Sequence, residues 1–324
     1  MRLSFPIHTS AIRLLILITG LVFANFSQAD SALLRPALQT GQAAQSLLLD
    51  ITSAGERLVA VGERGHIIYR DPDQPWQQAQ VPVIAHLTAV HFATPQLGFA
   101  VGHEAIILRT TDAGATWQLM HHDTEEPPLL GIHFISAQSG FVVGGYNLLL
   151  RTDDAGDSWQ FVGDALPNPD EYHNNAIIQD TAGRLFIAGE RGGLFRSEDQ
   201  AQSWQPLPLD YDGSIFGLIS TPEGFLLATG LRGNLFISRD AGDSWQQLEH
   251  QGEQTLNGGL VLDHGRLLVL GQNGEYLTGS ADALTLHTLP GRYSLLAAAR
   301  QGNQVFAVGR GGIHTLLLPD TSSH

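Results

Sequence analysis

One short pattern repeats along the chain and strongly limits what it can fold into. A small or apolar residue followed by glycine recurs at Gly62, Gly102, Gly144, Gly189, Gly230, Gly271 and Gly309. Successive glycines lie 38 to 45 residues apart. Repeats of this length are typical of propellers whose blades contain about four strands. The sequence therefore predicts an all-β, seven-bladed β-propeller.

A single unit shows how the repeat should fold. Residues 87–92 alternate as a strand does, and residues 98–102 form a second strand that ends at the repeat glycine. Residues 105–109 and 117–120 supply a third strand and a short outer fourth strand. Blades bury both faces against their neighbours, so the inner strands can be apolar on both sides.

A second motif lies between the third and fourth strands. The pattern S/T-x-D-x-G-x-T/S-W, the Asp box, occupies residues 110–117, 152–159 and 238–245, and residues 197–204 match it with Ala201 in place of glycine. Its characteristic residues are Asp112, Gly114, Trp117, Asp154, Gly156, Trp159, Asp199, Trp204, Asp240, Gly242 and Trp245. The carboxylate can accept N–H bonds across the hairpin, the glycine permits a positive φ, and the tryptophan can pack between blades. These residues are predicted to be structural.

The ends of the chain suggest how the ring closes. The last unit has strands at about 293–299, 304–309 and 312–318 and then the chain ends, so its outer strand is missing. The segment from Ala32 to Thr40 has no other place in the repeat and is predicted to supply that strand. The predicted domains are a signal peptide at 1–29, a single propeller at 30–319 with repeats from about 45, and a tail at 320–324.

The N-terminus resembles a secretory signal. Arg2 and Arg13 form a positive region before an uncharged apolar run at residues 14–24, and Ser27-Gln28-Ala29 offers small residues for cleavage before Asp30. An uncleaved anchor is the alternative, although the apolar run is shorter than the roughly 20 residues of a spanning helix. The predicted location is the periplasm. The absence of cysteine excludes disulfides and thiolate metal sites.

Charge narrows the choice of partner. All 17 basic residues are arginine, and the formal net charge is −15. Such an acidic chain is not expected to bind nucleic acid or to adsorb to anionic membranes. Against this background, Arg64, Arg191, Arg232 and Arg310 recur at near-equivalent positions after the repeat glycines. They are predicted to gather on the face that carries the connectors between blades and to bind a partner, because arginine forms bidentate bonds with carboxylates.

Other chemistries fit the sequence less well. His121, His122 and Asp123, with His103 and Glu104 nearby, could be considered for a metal, but their spacing matches no metal signature. No catalytic residue, metal or cofactor is predicted. The chain also lacks the Arg-Ile-Pro motif usual in sialidases, the enzymes that share Asp boxes.

The units resemble those of the photosystem II stability/assembly factor family and its bacterial relatives. The resemblance covers nearly all of residues 45–318 and rests on Gly98–Gly102 leading to the Asp box 110–117, and on Gly140–Gly144 leading to Ser158-Trp159. It implies a signal-bearing, non-catalytic propeller that binds membrane-protein assembly intermediates, with an arginine patch matching Arg64, Arg191, Arg232 and Arg310. For relatives in heterotrophic bacteria, family context suggests partners among RND-type membrane transport proteins.

Three functions remain open from the sequence. The leading hypothesis is an exported assembly or accessory factor that binds a membrane protein or complex through the arginine-bearing face and touches the membrane at most peripherally. The alternatives are a sialidase-like glycan-binding or glycoside hydrolase propeller, and a purely structural subunit of an envelope complex. The lack of a heptad or an apolar outer stripe favours a monomer.

Overall fold

The computed structural model describes residues 34–318, which form seven small antiparallel sheets arranged as blades. Blade 1 contains β1 (Leu48–Ala54), β2 (Arg57–Gly62), β3 (Ile67–Arg70) and β4 (Gln77–Gln78). Blade 2 contains β5 (Leu87–Phe92), β6 (Gly98–Gly102), β7 (Ile107–Thr110) and β8 (Gln118–His121). Blade 3 contains β9 (Leu129–Phe134), β10 (Gly140–Gly144), β11 (Leu149–Thr152) and β12 (Gln160–Phe161). Blade 4 contains β13 (Asn174–Gln179), β14 (Leu185–Gly189), β15 (Leu194–Ser197) and β16 (Gln205–Pro206).

The remaining blades continue the order of the chain. Blade 5 contains β17 (Ile215–Ser220), β18 (Leu226–Gly230), β19 (Leu235–Ser238) and β20 (Gln246–Gln247). Blade 6 contains β21 (Leu256–Val261), β22 (Leu267–Gly271), β23 (Glu275–Ser280) and β24 (Ala283–Thr288). Blade 7 contains β25 (Leu295–Gln301), β26 (Gln304–Gly309) and β27 (Gly312–Leu316). The predicted seven-bladed propeller is confirmed, and each repeat glycine ends the second strand of its blade.

The repeat glycine is explained by a close approach of backbones. The residue that follows it donates its N–H to the carbonyl just before the first strand of the same blade, as His103 does to His86 at 3.0 Å. The same bond occurs in all seven blades. A Cβ on Gly102 would lie 2.0 Å from that carbonyl oxygen, and a Cβ on Gly309 would lie 1.9 Å from its equivalent. A side chain is therefore excluded by backbone contact in five blades, at Gly62, Gly102, Gly144, Gly189 and Gly309, whereas Gly230 and Gly271 leave more room.

The core lies between the blades rather than in one central mass. Each pair of neighbouring blades encloses its own apolar cluster. Trp117 packs between blades 1 and 2, and Trp159 lies edge-on to Phe134 between blades 2 and 3, with ring centroids 6.1 Å apart. Trp204 and Trp245 occupy the next two junctions. Contacts between β1 and β25 close the ring.

The prediction that the N-terminal segment completes blade 7 is wrong. Blade 7 has three strands in the described part of the chain, and residues 34–40 run along the outside of blade 1 instead. The Ala37 N–H donates to the Val81 carbonyl at 2.9 Å, and the Gln39 amide donates to the Ala79 carbonyl at 3.0 Å. Burial of Ala37 in the cluster between blades 1 and 2 stabilises this course.

Residues 1–33 and 319–324 lie outside the described part of the chain. The predicted signal peptide and the tail therefore have no structural description here. Within residues 34–318, no helix has the length and apolar character needed to cross a membrane.

Candidate partner-binding surface

The turns between second and third strands share one face with the connectors between blades. In blade 1 the Gly65 N–H donates to the Ala85 carbonyl in the next connector at 2.7 Å. In blade 4 the Gly192 N–H donates to Gly213 at 2.7 Å, and in blade 2 the Glu104 carbonyl accepts from the Asp123 N–H at 3.0 Å. We call this the turn face. The Asp boxes lie on the opposite face, where the Ala113 N–H donates to Gln96 in the turn between β5 and β6.

Each turn of the turn face holds two consecutive residues with positive φ, and we call the first of them the left-handed position. Six blades place a side chain at this position, with φ between 50° and 57°: Arg64, Glu104, Tyr146, Arg191, Arg232 and Asn273. Blade 7 has Gly311 at the corresponding place, with φ 82°. A non-glycine residue in this region costs about 1 kcal/mol, and such outliers cluster at functional sites. These six turns therefore carry side chains at a position where glycine would be less strained.

The four predicted arginines lie on the turn face and are exposed. Arg64, Arg191 and Arg232 occupy the left-handed position, and Arg310 lies one residue before it, where its N–H donates to Ser294 at 3.2 Å. Blades 7 and 1 are neighbours, as are blades 4 and 5. The arginines thus form two neighbouring pairs, separated by blade 6 with Asn273.

One arginine of the set is already engaged. The Arg191 guanidinium lies 3.1 Å from the Asp212 carboxylate, and both side chains are more than half exposed. An exposed pair of this kind contributes little to stability, about 0 to 1 kcal/mol, and can exchange partners. Among the described residues, Arg64, Arg232 and Arg310 have no ion-pair partner.

Blades 2 and 3 give the turn face a different character. Glu104 occupies the left-handed position of blade 2, and the exposed Tyr146 occupies that of blade 3. The Tyr146 ring lies edge-on to His173, with centroids 4.9 Å apart, and the His173 N–H donates to Glu190 at 3.1 Å. Sequence reasoning missed this aromatic pair, although Tyr146 aligns with the arginines in the repeat. The turn face therefore has an arginine-bearing arc and an acidic-aromatic arc.

The histidines considered for a metal do not assemble into a site. His121 lies 3.0 Å from the Glu126 carboxylate, and His103 has His86 as its ring neighbour at 5.7 Å. In residues 34–318, no three histidine or acidic side chains come together in a group that could hold a metal ion.

The four Asp boxes share one hydrogen-bonding pattern. In blade 3, Asp154 accepts bonds from the Ser158 hydroxyl at 2.6 Å, the Ser158 N–H at 2.9 Å and the Thr152 hydroxyl at 2.8 Å. These donors lower the pKa of Asp154 to about 2. Thr152 in turn accepts the Gly156 N–H at 2.9 Å. Both carboxylate oxygens of Asp154 thus accept hydrogen bonds from within its own loop.

The first strands of the blades surround the axis of the propeller and carry a β-bulge each. Three polar bulge residues bond to the next blade: Thr88 donates to Leu129 at 2.6 Å, Asn175 to Ile215 at 2.9 Å and Asn257 to Leu295 at 2.7 Å. The residue after the bulge is small in six blades, at Ala89, Gly131, Ala176, Gly217, Gly258 and Ala297. A Cβ on Gly217 would lie 2.6 Å from the Asn257 carbonyl oxygen, so neighbouring inner strands leave little room.

In blade 1 the residue after the bulge is Asp50 instead of a small residue. Its carboxylate accepts the Val90 N–H of blade 2 at 2.9 Å and the Ile51 N–H at 2.8 Å. Burial outweighs these two bonds and raises the pKa of Asp50 to about 7. Farther along the inner strands, His91 and His133 approach each other with ring centroids 4.7 Å apart. Sequence reasoning missed these groups, and the single acidic residue in an otherwise small position was the available signal.

Asp50 should make stability depend on pH in an unusual direction. Its folded pKa of about 7 lies above the unfolded value of 3.8, so the folded state retains the proton through this window. This contribution is present at low pH and is lost as the pH rises from about 4 to about 7, with an upper bound of about 4 kcal/mol. Urea unfolding should show that the free energy of unfolding of Asp50→Asn minus that of wild type is larger at pH 8 than at pH 5. An unchanged difference between the two proteins at both pH values would contradict the assignment.

The profile of the family described as photosynthesis system II assembly factor YCF48 matches residues 69–318. The chain belongs to this family. No curated protein sequence matches it.

Solved structures share the propeller at low sequence identity. A structure of YCF48 bound to D1 peptide is 18% identical, with a TM-score of 0.68 over 88% of this chain and 100% of that chain. Virginiamycin B lyase from Staphylococcus aureus is 11% identical, with a TM-score of 0.74 over 86% and 96% of the two chains. The GH74 xyloglucanase from Xanthomonas campestris is 14% identical, with a TM-score of 0.67 over 84% of this chain and 52% of its own. At these identities the similarities show a shared fold.

Proposed function

We propose that this YCF48-family chain is an exported, non-catalytic assembly factor that binds a membrane protein or membrane complex through Arg64, Arg191, Arg232 and Arg310. One observation carries the proposal: three of the four arginines occupy strained left-handed positions, and all four are exposed on a single face of an acidic protein. The solved family structure with a bound D1 peptide supports a peptide segment of a membrane protein as the ligand.

The chemistry of the ligand follows from the guanidiniums. Exposed arginines bind carboxylates in a bidentate manner and steer acidic partners at long range. The partner is therefore an acidic segment on the exported side of the membrane, with RND-type transporters as the first class to examine. Periplasmic location and the monomeric state belong to the same proposal, and nucleic acid does not fit the net charge of −15.

The glycosidase alternative receives less support from the inner strands. Hydrolysis of a glycoside needs two carboxyl groups about 5 to 10 Å apart. Asp50 is the one acidic residue on the seven inner strands of the described chain, and both of its oxygens accept backbone N–H bonds. This arrangement favours the non-catalytic function.

Affinity capture from detergent-solubilised envelope tests the proposal, with the exported form 30–324 as bait. Wild type should enrich a membrane protein, and Arg191→Glu/Arg232→Glu should reduce that enrichment at least about tenfold, because two charge-assisted contacts become repulsive. The matched control is Arg35→Glu/Arg239→Glu, which changes the net charge equally at two exposed sites away from the turn face. Equal loss in both variants would indicate a non-specific charge effect and would reject the turn face as the binding site.

A further inference from the structure

The outer edge of blade 7 differs from every other blade of the described chain. Six sheets have a fourth strand that covers the third, whereas β27 has no strand on its outer side. Blade 6 shows the complete arrangement, in which β24 pairs with β23 from Glu275↔Thr288 to Ser280↔Ala283. Beyond its pairing with β26, the backbone of residues 313–316 forms no hydrogen bond with any other described residue.

This edge carries little of the usual protection against further pairing. Blades 1, 3, 4 and 5 end in outer strands of two residues, and short edge strands limit unwanted strand addition. The edge of β27 is five residues long, and Gly312–Leu316 contains neither proline nor lysine nor arginine. Leu317, directly after the strand, is 88% exposed. The edge therefore has the length and composition of a site for an added strand.

Residues 34–40 do not occupy the site, and residues 43–45, which lead into blade 1, pack against the start of β27, where the Ala44 carbonyl oxygen would lie 1.9 Å from a Cβ on Gly312. Followed back from Thr40, the chain passes along blade 1, where Ala37 bonds to Val81, and reaches Trp117 of blade 2. It leads away from blade 7, and its side-chain and backbone bonds hold it there. The place of the missing strand is thus free of residues 34–40.

We propose that an extended segment of the membrane-protein partner adds to β27 as the fourth strand of blade 7. Strand addition derives affinity from main-chain hydrogen bonds and specificity from alternate side chains. The fourth strand runs antiparallel to the third in the other blades, so the C-terminal end of the added segment lies beside the start of β27. Arg310 precedes that point by two residues, and Arg64 belongs to the neighbouring blade. A carboxylate at the C-terminal end of the segment would bind these two arginines.

This inference rests on the proposed function and specifies how the ligand binds. It adds an orientation, since the segment enters from the Asp-box face and ends at the turn face. It also separates the roles of the arginines: Arg310 and Arg64 bind the end of the strand, while Arg191 and Arg232 contact a different part of the partner.

A photo-crosslinking amino acid at Thr315 provides the direct test, with the same group at Thr285 on β24 as the control. Both sites are exposed on outermost strands of adjacent blades. During capture from the envelope, the partner enriched by wild type should crosslink through position 315 and not through position 285. Crosslinking at neither site or equally at both, while wild type still captures the partner, would overturn strand addition and leave the proposed function standing. Failure of wild type to capture any membrane protein would overturn both.

A proline pair tests the backbone contact itself. N–H groups of successive strand residues point to opposite sides, so one of His314 and Thr315 directs its N–H to the open edge. Of the variants His314→Pro and Thr315→Pro, one should lower the melting temperature by breaking the pairing with β26. The other should keep the wild-type melting temperature and reduce capture about tenfold. Wild-type capture by the variant that keeps its stability would contradict the inference.

Discussion

Gly102→Ala is expected to destabilise the propeller by about 3 kcal/mol or more, because the new methyl group would lie 2.0 Å from the His86 carbonyl oxygen. The obstructing atom belongs to the backbone, so no change of rotamer relieves the contact. Relief requires the connector to move and to break the bond from the His103 N–H to His86. Urea or thermal unfolding followed by circular dichroism measures the effect, with an expected fall in melting temperature of roughly 6 °C or more.

Gly271→Ala is the matched control for this prediction. Gly271 occupies the same place in blade 6, but its nearest neighbours would lie 3.2 Å from an added Cβ. Small adjustments accommodate that distance, so the cost should stay below about 1.5 kcal/mol. Similar losses in both variants would show that the effect arises from replacing glycine in a strand rather than from the close carbonyl.

Acidification should lower the stability of the fold through the two histidines on the inner strands, His91 and His133. Burial, with a contribution from His133, lowers the pKa of His91 to about 3, and burial lowers the pKa of His133 to about 4. Both values lie below the unfolded value of 6.5, so the unfolded state binds more protons as the pH falls. The stability that these rings contribute is present above about pH 6.5 and is lost as the pH falls towards 4 and 3.

The double variant His91→Gln/His133→Gln removes this contribution. The free energy of unfolding of this variant minus that of wild type should be roughly 3 kcal/mol larger at pH 4.5 than at pH 7.5. This value allows for the partial exposure of both rings. The comparison between proteins is essential because Asp50 acts in the opposite direction over the same pH range. Asp50→Asn therefore serves as a control, because its stability difference from wild type should change with pH in the opposite direction. Parallel pH curves for wild type and the histidine variant would contradict the assignment.

The arginines on the two faces of the propeller differ in their ion pairs. On the Asp-box face, the motif carboxylates accept bonds from their own loops, and Arg109 and Arg196 bind Asp157 and Asp243 of the next blades at 2.6 and 2.8 Å. Arginines on that face therefore join neighbouring blades. On the turn face, Arg64, Arg232 and Arg310 have no ion-pair partner among the described residues. The residue type is the same, but its position in the repeat separates arginines that join blades from arginines without an ion-pair partner among the described residues.

Local sequence determined much of this architecture. The spacing of the repeat glycines predicts seven blades, and in five of them the glycine admits a backbone carbonyl that a side chain would exclude. The Asp boxes are equally local, since Asp112 and Thr116 bond within five residues. The equivalence of Arg64, Arg191 and Arg232 follows from counting residues after each glycine. All these features depend on contacts that the repeat defines within one blade.

Tertiary structure alone decided the features that depend on two distant segments. The course of residues 34–40 along blade 1 results from burial of Ala37 and bonds to Val81 and Ala79, and no pattern in the segment distinguishes blade 1 from blade 7. Because residues 34–40 lie along blade 1, they do not cover the edge of β27. The shifted pKa of Asp50 and the approach of His91 to His133 require neighbouring blades to meet at the axis. Such contacts join residues about 40 positions apart, and their energies depend on distances that a one-dimensional repeat does not contain.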